Sequence, residues 1–300
     1  KRPEEVKPER LHEYVTLRKQ QSSVYALCRV LKISESGYYR SLRMQDSPRP
    51  WQLLLVRIRK IYKENPDNRN YGVGRILLAL ERRGVNASRS TVRRAMKRGG
   101  LLKTPARRPQ SLTKADAAAQ KAENLIRRDF TAEAPNQKWL TDITQIPCAD
   151  GKLYIAAVLD CYNGEIVGLS MGDNMKKELC IHAFESACES RAAHGMILHS
   201  DRGSQFTSAA FRKTLAKYEA VQSMSSTGRC YDNARMESFF ATLKKEKLYQ
   251  IHTEKMPMSQ VKSIVFRYIM TYYNRERIYT ANPGGLAPAM YRQAARGLAA

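Results

Sequence analysis

Trp139-Leu140-Thr141-Asp142-Ile143-Thr144-Gln145-Ile146-Pro147 is an apolar and hydroxyl-bearing run with a single carboxylate near its middle. Its residue types predict a strand. Ala149-Asp150-Gly151 reads as the turn into a second strand, Leu153–Cys161, and Ile166–Met171 reads as a third. The pattern then alternates. A helix is expected over Lys176–Arg191, a short strand over Met196–His199, a helix over Ser208–Glu219, a strand over Val221–Ser225, and a helix from Asp232 to about Leu248. Three hairpin-type strands followed by alternating helix and strand predict a mixed α/β sheet flanked by helices.

Upstream the periodicity is helical. Val24, Leu27, Cys28 and Leu31 recur at helical spacing, and Ser34 reads as an N-cap before Gly37-Tyr38-Tyr39-Arg40. Pro48 and Pro50 break the chain. A second unit opens at Tyr71-Gly72-Val73-Gly74-Arg75, stops at Gly84, and restarts at Ser88, the expected cap of a helix bearing Arg89, Arg93, Arg94, Lys97 and Arg98. Val92, Ala95 and Met96 fall on its opposite face, toward a small core. Both units read as helix-turn-helix. From Leu101 to about Gln137 the periodicity fades into a linker with one helix expected around Asp116–Arg128. The expected boundaries are 1–50, a helical helix-turn-helix-like region; 51–110, a second one that binds DNA; 111–134, a linker; 135–250, the catalytic domain; and 251–300, a C-terminal helical segment.

Charge separates the same regions. Of 52 Lys+Arg against 28 Asp+Glu, residues 1–130 hold 31 basic and 12 acidic, and the remainder 21 and 16. An excess of 24 positive charges calls for a polyanionic partner, of which nucleic acid is the commonest. Residues 51–128, with 20 basic and 5 acidic side chains, are the expected grip, and a fragment of them is expected to bind DNA with a steep salt dependence. In the last helix Ser88, Arg89, Ser90 and Arg93 are expected nearest the base edges, with Arg94 beside them, and Lys97 and Arg98 on phosphates. The plain alternative is a solvated basic face on a helical hairpin. Apolar runs such as Ile76–Leu80 are too short to span a bilayer. The six cysteines form no C-x-x-C pair, which excludes the usual zinc modules and predicts buried, reduced thiols in a cytoplasmic protein. The first residue is Lys1, which suits a processed, trimmed or downstream product.

Three carboxylates stand out. Asp142 is costly inside an apolar strand unless it is paired, solvated in a cleft or bound to a cation. Asp201 follows a strand at its C-terminal end, where α/β sheets place ligands. Glu237 lies on a helix whose Met236, Phe239, Phe240 and Leu243 form the core stripe, with 35 residues between it and Asp201. Singly, each has a bland reading: a turn cap, a turn residue, a surface helix Glu. Together they are the oxygen ligands that Mg²⁺ prefers, and two such ions about 4 Å apart suit phosphodiester displacement.

The blocks Asn136–Thr144, His199-Ser200-Asp201-Arg202-Gly203-Ser204-Gln205-Phe206, Ser223–Ala234 and Glu237-Ser238-Phe239-Phe240 together resemble the catalytic core of the insertion-sequence-three family. These are bacterial transposases of the DDE superfamily, with an RNase H-like core similar to retroviral integrases, and the resemblance covers nearly the whole chain. It implies Asp142, Asp201 and Glu237 as the metal-binding catalytic triad, two Mg²⁺ ions with Mn²⁺ as substitute, and Lys244 near the DNA. It also implies cleavage and 3′-OH strand transfer at insertion-sequence ends by a copy-out, paste-in route with a circular intermediate, followed by integration into target DNA. Further implications are a homo-oligomer on double-stranded DNA, an upstream OrfA-type region or protein, no membrane, and a bacterial, nucleoid-associated location. The C-terminal motif departs from the family at Tyr279, where His is usual, and at Asn282, where Leu is usual, while Pro288 and Tyr291 keep it; packing is the expected role of Tyr279. His199 reads equally as a loop-orienting or a buried structural residue. The competing class is a DNA-binding regulator or domesticated remnant without catalysis, against which the three intact carboxylates speak.

Overall fold

The computed structural model describes residues 8–45, 49–103, 123–127, 129–191, 193–225 and 230–298. Three helices come first: α1 (Pro8–Arg18), α2 (Val24–Val30) and α3 (Glu35–Gln45). Serines cap the last two: Gly37 N donates to Ser34 Oγ at 3.1 Å, as the sequence predicts, and Ala26 N donates to Ser23 Oγ at 3.2 Å. Val15, Cys28 and Tyr38 form a small core of their own, with Val24, Leu27 and Leu31 packed on it.

The second unit holds α4 (Pro50–Glu64), α5 (Val73–Glu81) and α6 (Arg89–Arg98). Pro50 breaks the preceding chain but also opens α4, where a missing N–H costs nothing. Leu54, Leu55, Ile58 and Ile61 form the buried stripe of this helix, which the sequence reading did not resolve. Ser88 caps α6 as expected, accepting from Thr91 N at 3.2 Å. Val92, Ala95 and Met96 form the buried face of α6, packed on α4 and α5 as expected. They belong to the same apolar cluster as Leu140, Phe239, Tyr272 and Ile278. The core of this three-helix unit is thus continuous with that of the catalytic body.

The helix expected around Asp116–Arg128 is absent over the described part of that segment. Residues 123–127 are not helical, and 116–122 and 128 lie outside the described residues. Instead the segment runs beside a strand edge. Met224 N donates to the Glu123 carbonyl at 3.3 Å, Leu125 N to Ser223 Oγ at 3.0 Å, and Ile126 is buried in the main cluster. These long-range bonds outcompete a local helical turn.

The sheet has the strands β1 (Lys138–Cys148), β2 (Gly151–Asp160), β3 (Ile166–Gly172), β4 (Ile197–Ser200) and β5 (Val221–Met224) in the order β3-β2-β1-β4-β5. The first three run antiparallel, and β4 and β5 run parallel to β1. This is the mixed, RNase H-like arrangement that the sequence predicts. Strand alternation splits β1 and β2 between two faces. Trp139, Ala156 and Val158 pack under α7 (Lys177–Arg191), beside the short α8 (Ser204–Thr207) and α9 (Ala209–Lys217). Gly168 lets α7 lie close on β3, because a Cβ there would collide with the Ala183 carbonyl. Leu140, Ile146, Ile155 and Ala157 face the other way, toward α10 (Ala234–Glu246).

The chain closes with α11 (Met258–Phe266), a π-helical continuation over Arg267–Tyr273, and α12 (Pro288–Leu298). This segment clasps the β2–β3 loop. Asn274 exchanges two bonds with the Ile166 backbone, Asn282 Nδ2 donates to Asn163 O at 3.1 Å, and buried Arg292 pairs with Asp160 and Glu165. Tyr291 stacks on Tyr162 with 5.2 Å between ring centroids. Tyr279 packs against Gly164, where no side chain would fit, and edge-on to Tyr273, in keeping with a packing role. Cys28, Cys148, Cys161, Cys180 and Cys188 are buried and unpaired as disulfides. No helix among the described residues is long and apolar enough to cross a membrane.

Candidate active site

Strand register brings the two aspartates together. Leu140 of β1 pairs with His199 of β4 in parallel, and Asp142 and Asp201 each lie two residues further along. A period of two keeps Asp142 on the Leu140 face, the face that α10 covers. Asp142 is half-buried and its Oδ1 accepts Ile143 N at 2.8 Å. Asp201 stands exposed just past the end of β4, with Oδ1 accepting Gly203 N at 3.0 Å. Arg202 Nε fastens that loop to Ser225 O at 2.7 Å.

The third acid arrives on α10. Met236, Phe239, Phe240 and Leu243 bury one side of this helix and leave Glu237 exposed. Two side chains fix the helix start. Buried Asn233 donates from Nδ2 to Thr141 O at 3.1 Å, one residue from Asp142. Arg235 Nη1 donates to the carbonyls of Phe130 and Cys161, both at 2.6 Å. Lys244 lies seven residues after Glu237, nearly two full turns, and so on almost the same helix face.

Electrostatics show the convergence. Burial pushes the Asp142 carboxyl up to about 7, the neighbouring charge of Asp201 and then that of Glu237 add to the rise, and the Ile143 N–H and the Lys244 ammonium partly oppose it. Burial also raises Glu237. Lys244 is lowered by burial, which the Asp142 charge resists. The structure thus brings Asp142, Asp201, Glu237 and Lys244 into one field, although no closed three-ligand cage of acids, histidines or cysteines exists among the described residues. The donor set suits a hard divalent cation: three carboxylates, of which Asp142 is raised by burial first and by the charges of Asp201 and Glu237 next.

His199 is part of the scaffold. It is fully buried, Nδ1 and Nε2 meet the hydroxyls of Ser223 at 2.8 Å and Ser225 at 3.2 Å, and burial lowers it to about 4, so the ring is neutral. Ser226–Arg229 of the third sequence block lie outside the described residues.

The expected DNA-binding side chains form a separate surface. Ser88, Arg89, Ser90, Arg93, Arg94, Lys97 and Arg98 are all exposed along α6, and Arg98 lies over the Trp51 ring at 5.3 Å. Two structural residues stand outside the sequence expectations, Asn233 and Glu246, whose carboxylate binds Arg75 and Arg277. A polar residue directly before an amphipathic helix was a visible signal for Asn233. No local signal marked Glu246, whose partners are distant in the chain.

Comparison with known proteins agrees with the fold. Residues 132–230 and 237–295 match integrase core domain families, and residues 50–110 match an HTH-like domain. The transposase InsF for insertion sequence IS3A of Escherichia coli K12 is 33% identical over 295 residues, covering 93% of this chain and 98% of that one. The 31 kDa protein of insertion element IS600 from Shigella sonnei is 34% identical, covering 89% and 97%. The transposase for IS904 of Lactococcus lactis is 36% identical, covering 76% and 89%. The magnesium complex of the HTLV-2 integrase catalytic core overlays with a TM-score of 0.40 at 17% identity, over 53% of this chain and 98% of that one, too slight a likeness to carry weight. With an HTH-like domain ahead of a mixed-sheet integrase core, and a relative matched over nearly its whole length, the chain belongs to the IS3-type family of insertion-sequence transposases.

Proposed function

We propose that this chain cuts and joins DNA strands at the ends of its insertion sequence with Asp142, Asp201 and Glu237 as its catalytic carboxylates, by the copy-out, paste-in route with a circular intermediate. The observation that carries this reading is the convergence of three acids from β1, the β4 loop and α10, where burial first, and then the charges of Asp201 and Glu237, raise Asp142 to about 7. The three carboxylates would hold two Mg²⁺ ions, with Mn²⁺ as a substitute, which when bound supply Lewis acidity to the attacking hydroxyl and the leaving 3′ oxygen. The protein's own part is positional. β1 and β4 set the two aspartates side by side, Gly203 N orients Asp201, and Asn233 holds the first turn of α10 against β1. Lys244, on the Glu237 face, offers its ammonium to a phosphate beside the scissile one. Water attack on phosphorus frees a 3′-OH, and that hydroxyl then attacks a second phosphodiester, each step breaking one P–O bond and making another.

The exposed basic face of α6 grips the terminal repeat. Joining two ends calls for a multimer on paired DNA, with an upstream OrfA-type region or protein as partner. Asp142→Asn, Asp201→Asn and Glu237→Gln should each lower cleavage of a labelled end duplex at least a hundredfold while binding stays within about threefold, because the amide keeps the shape and removes the charge. Near-normal cleavage by any one variant removes that residue from the site. Normal end binding without Mg²⁺- or Mn²⁺-dependent cleavage by the unaltered chain would instead make it a non-catalytic DNA-binding protein.

A further inference from the structure

The helix that carries Glu237, α10, ends with Glu246, nine residues or about 13–14 Å further on at the α-helical rise. Both oxygens of Glu246 are engaged. Arg277 forks onto them from Nε and Nη2 at 2.8 Å each, Arg75 Nη1 of α5 reaches Oε1 at 2.8 Å, and Tyr268 OH donates to Oε2 at 2.9 Å. Burial pushes the carboxyl up, but the hydrogen bonds and charge of Arg277, and then those of Arg75, outweigh it and hold it down to about 2. Around this node run further ties between the second helical unit and the catalytic body. Asn70 Nδ2 donates to the Glu246 carbonyl at 2.8 Å, Lys247 Nζ pairs with Asp67 at 2.9 Å, and Arg82 donates twice to Gly284 O, at 3.1 and 2.7 Å. Ile76, Leu80, Val92 and Met96 share one apolar core with Phe239 and Leu243. The α6 surface and Glu237 are therefore parts of a single packed body.

A partly buried ion cluster is weak evidence for stability, because desolvation offsets much of its attraction. Its geometry is specific: an Arg fork on a carboxylate fixes direction as well as distance. We propose that Glu246, with Arg75 and Arg277, is a positioning residue that makes the molecule a ruler, cutting at a fixed distance from the bases that α6 contacts rather than wherever the element's end lies. This rests on the reading of the three carboxylates and of α6 given above. Specificity for the cut site then comes from two parts of one rigid body, the reader at α6 and the acid at Glu237.

The test uses the full chain and duplexes carrying its own element's terminal repeat. Footprinting of wild type against Arg89→Ala locates the bases under α6. One, two, five and ten base pairs are then inserted between those bases and the scissile phosphate, and the cut position is mapped on a sequencing gel. The ruler expects the cut to move inward with the α6 bases, or cleavage at the original phosphate to fall at least tenfold. Ten base pairs should not restore it, since a full turn recovers the helical face but adds about 34 Å. Cutting that stays at the original phosphate, with yield within twofold at every spacing, overturns the proposal.

At native spacing, Glu246→Gln should scatter cuts over neighbouring phosphates at unchanged end affinity, and Arg75→Ala, at the more exposed edge of the cluster, should do so more mildly while keeping the fold. A single wild-type cut position in folded samples of both variants overturns the role of Glu246. A native-spaced duplex that is bound but uncut overturns the carboxylate reading instead, which the insertion series by itself does not touch.

Discussion

The two helical units at the front of the chain have the same local grammar and different fates. In each, a serine caps the second helix of the pair, Ser34 ahead of α3 and Ser88 ahead of α6. The first closes on Val15, Cys28 and Tyr38, a core of its own. It leaves Tyr14, Leu17, Tyr25, Val30 and Tyr39 largely exposed. Units of about 40 residues or fewer rarely bury enough surface to be stable alone. The second unit escapes that limit by sharing its apolar side with α10 and the C-terminal segment. The difference teaches that a helix-turn-helix pattern does not say whether a reader is a tethered module or a wall of the catalytic core. Here one chain contains both arrangements.

The sharpest way to break this comparison is to cut equal holes in the two units. Leu80→Ala, in α5 and fully buried in the shared core, should cost about 2–5 kcal/mol and shift the main unfolding transition of the whole chain. Val15→Ala, equally buried in the first unit, should leave that transition in place and raise hydrogen exchange only within residues 8–45. Equal shifts of the main transition by both variants would mean that the first unit is also built into the body.

A smaller effect follows from acid. Glu246 has its pKa lowered from 4.5 to about 2, by Arg277 and then Arg75. A depressed carboxyl contributes stability that is present above its unfolded pKa and is lost as pH falls through the folded one. The joint should therefore weaken between about pH 4.5 and 2, by roughly 3 kcal/mol at most. Denaturant midpoints over that range should fall more steeply for wild type than for Glu246→Gln, whose neutral amide cannot titrate. Parallel slopes would show that the node does not stabilise the joint.

The smallest effects concern the exposed face of α6. Arg89→Ala should cost about 1–3 kcal/mol of end binding and relax preference at one or two base pairs, if the guanidinium forks onto a guanine. Lys97→Ala should weaken binding to all sequences alike and lower the salt slope by about one unit. Competition binding against native and scrambled ends separates the two. If Arg89→Ala acts uniformly while Lys97→Ala changes sequence preference, the helix lies the other way round in the groove.

What the sequence by itself determined is what short-range physics controls. The strand-forming residue types around Asp142, the helical stripe of α10 and the caps at Ser34 and Ser88 depend on neighbours a few residues away, so they are written locally. Asp142 stood out for a related reason, since a carboxylate among apolar strand residues is costly unless it is paired, solvated or bound to a cation, whereas Asp201 and Glu237 stood out through the family resemblance. Tertiary structure alone decided the rest. That Asp142 meets Asp201 depends on parallel register between β1 and β4, strands nearly sixty residues apart. Residues 123–127 left the expected helix because the β5 edge offered their backbone distant partners. Glu246 found Arg75 and Arg277 at separations of 171 and 31 residues, where no periodicity reaches. Opposite charges attract through space, and only the folded chain makes those residues neighbours.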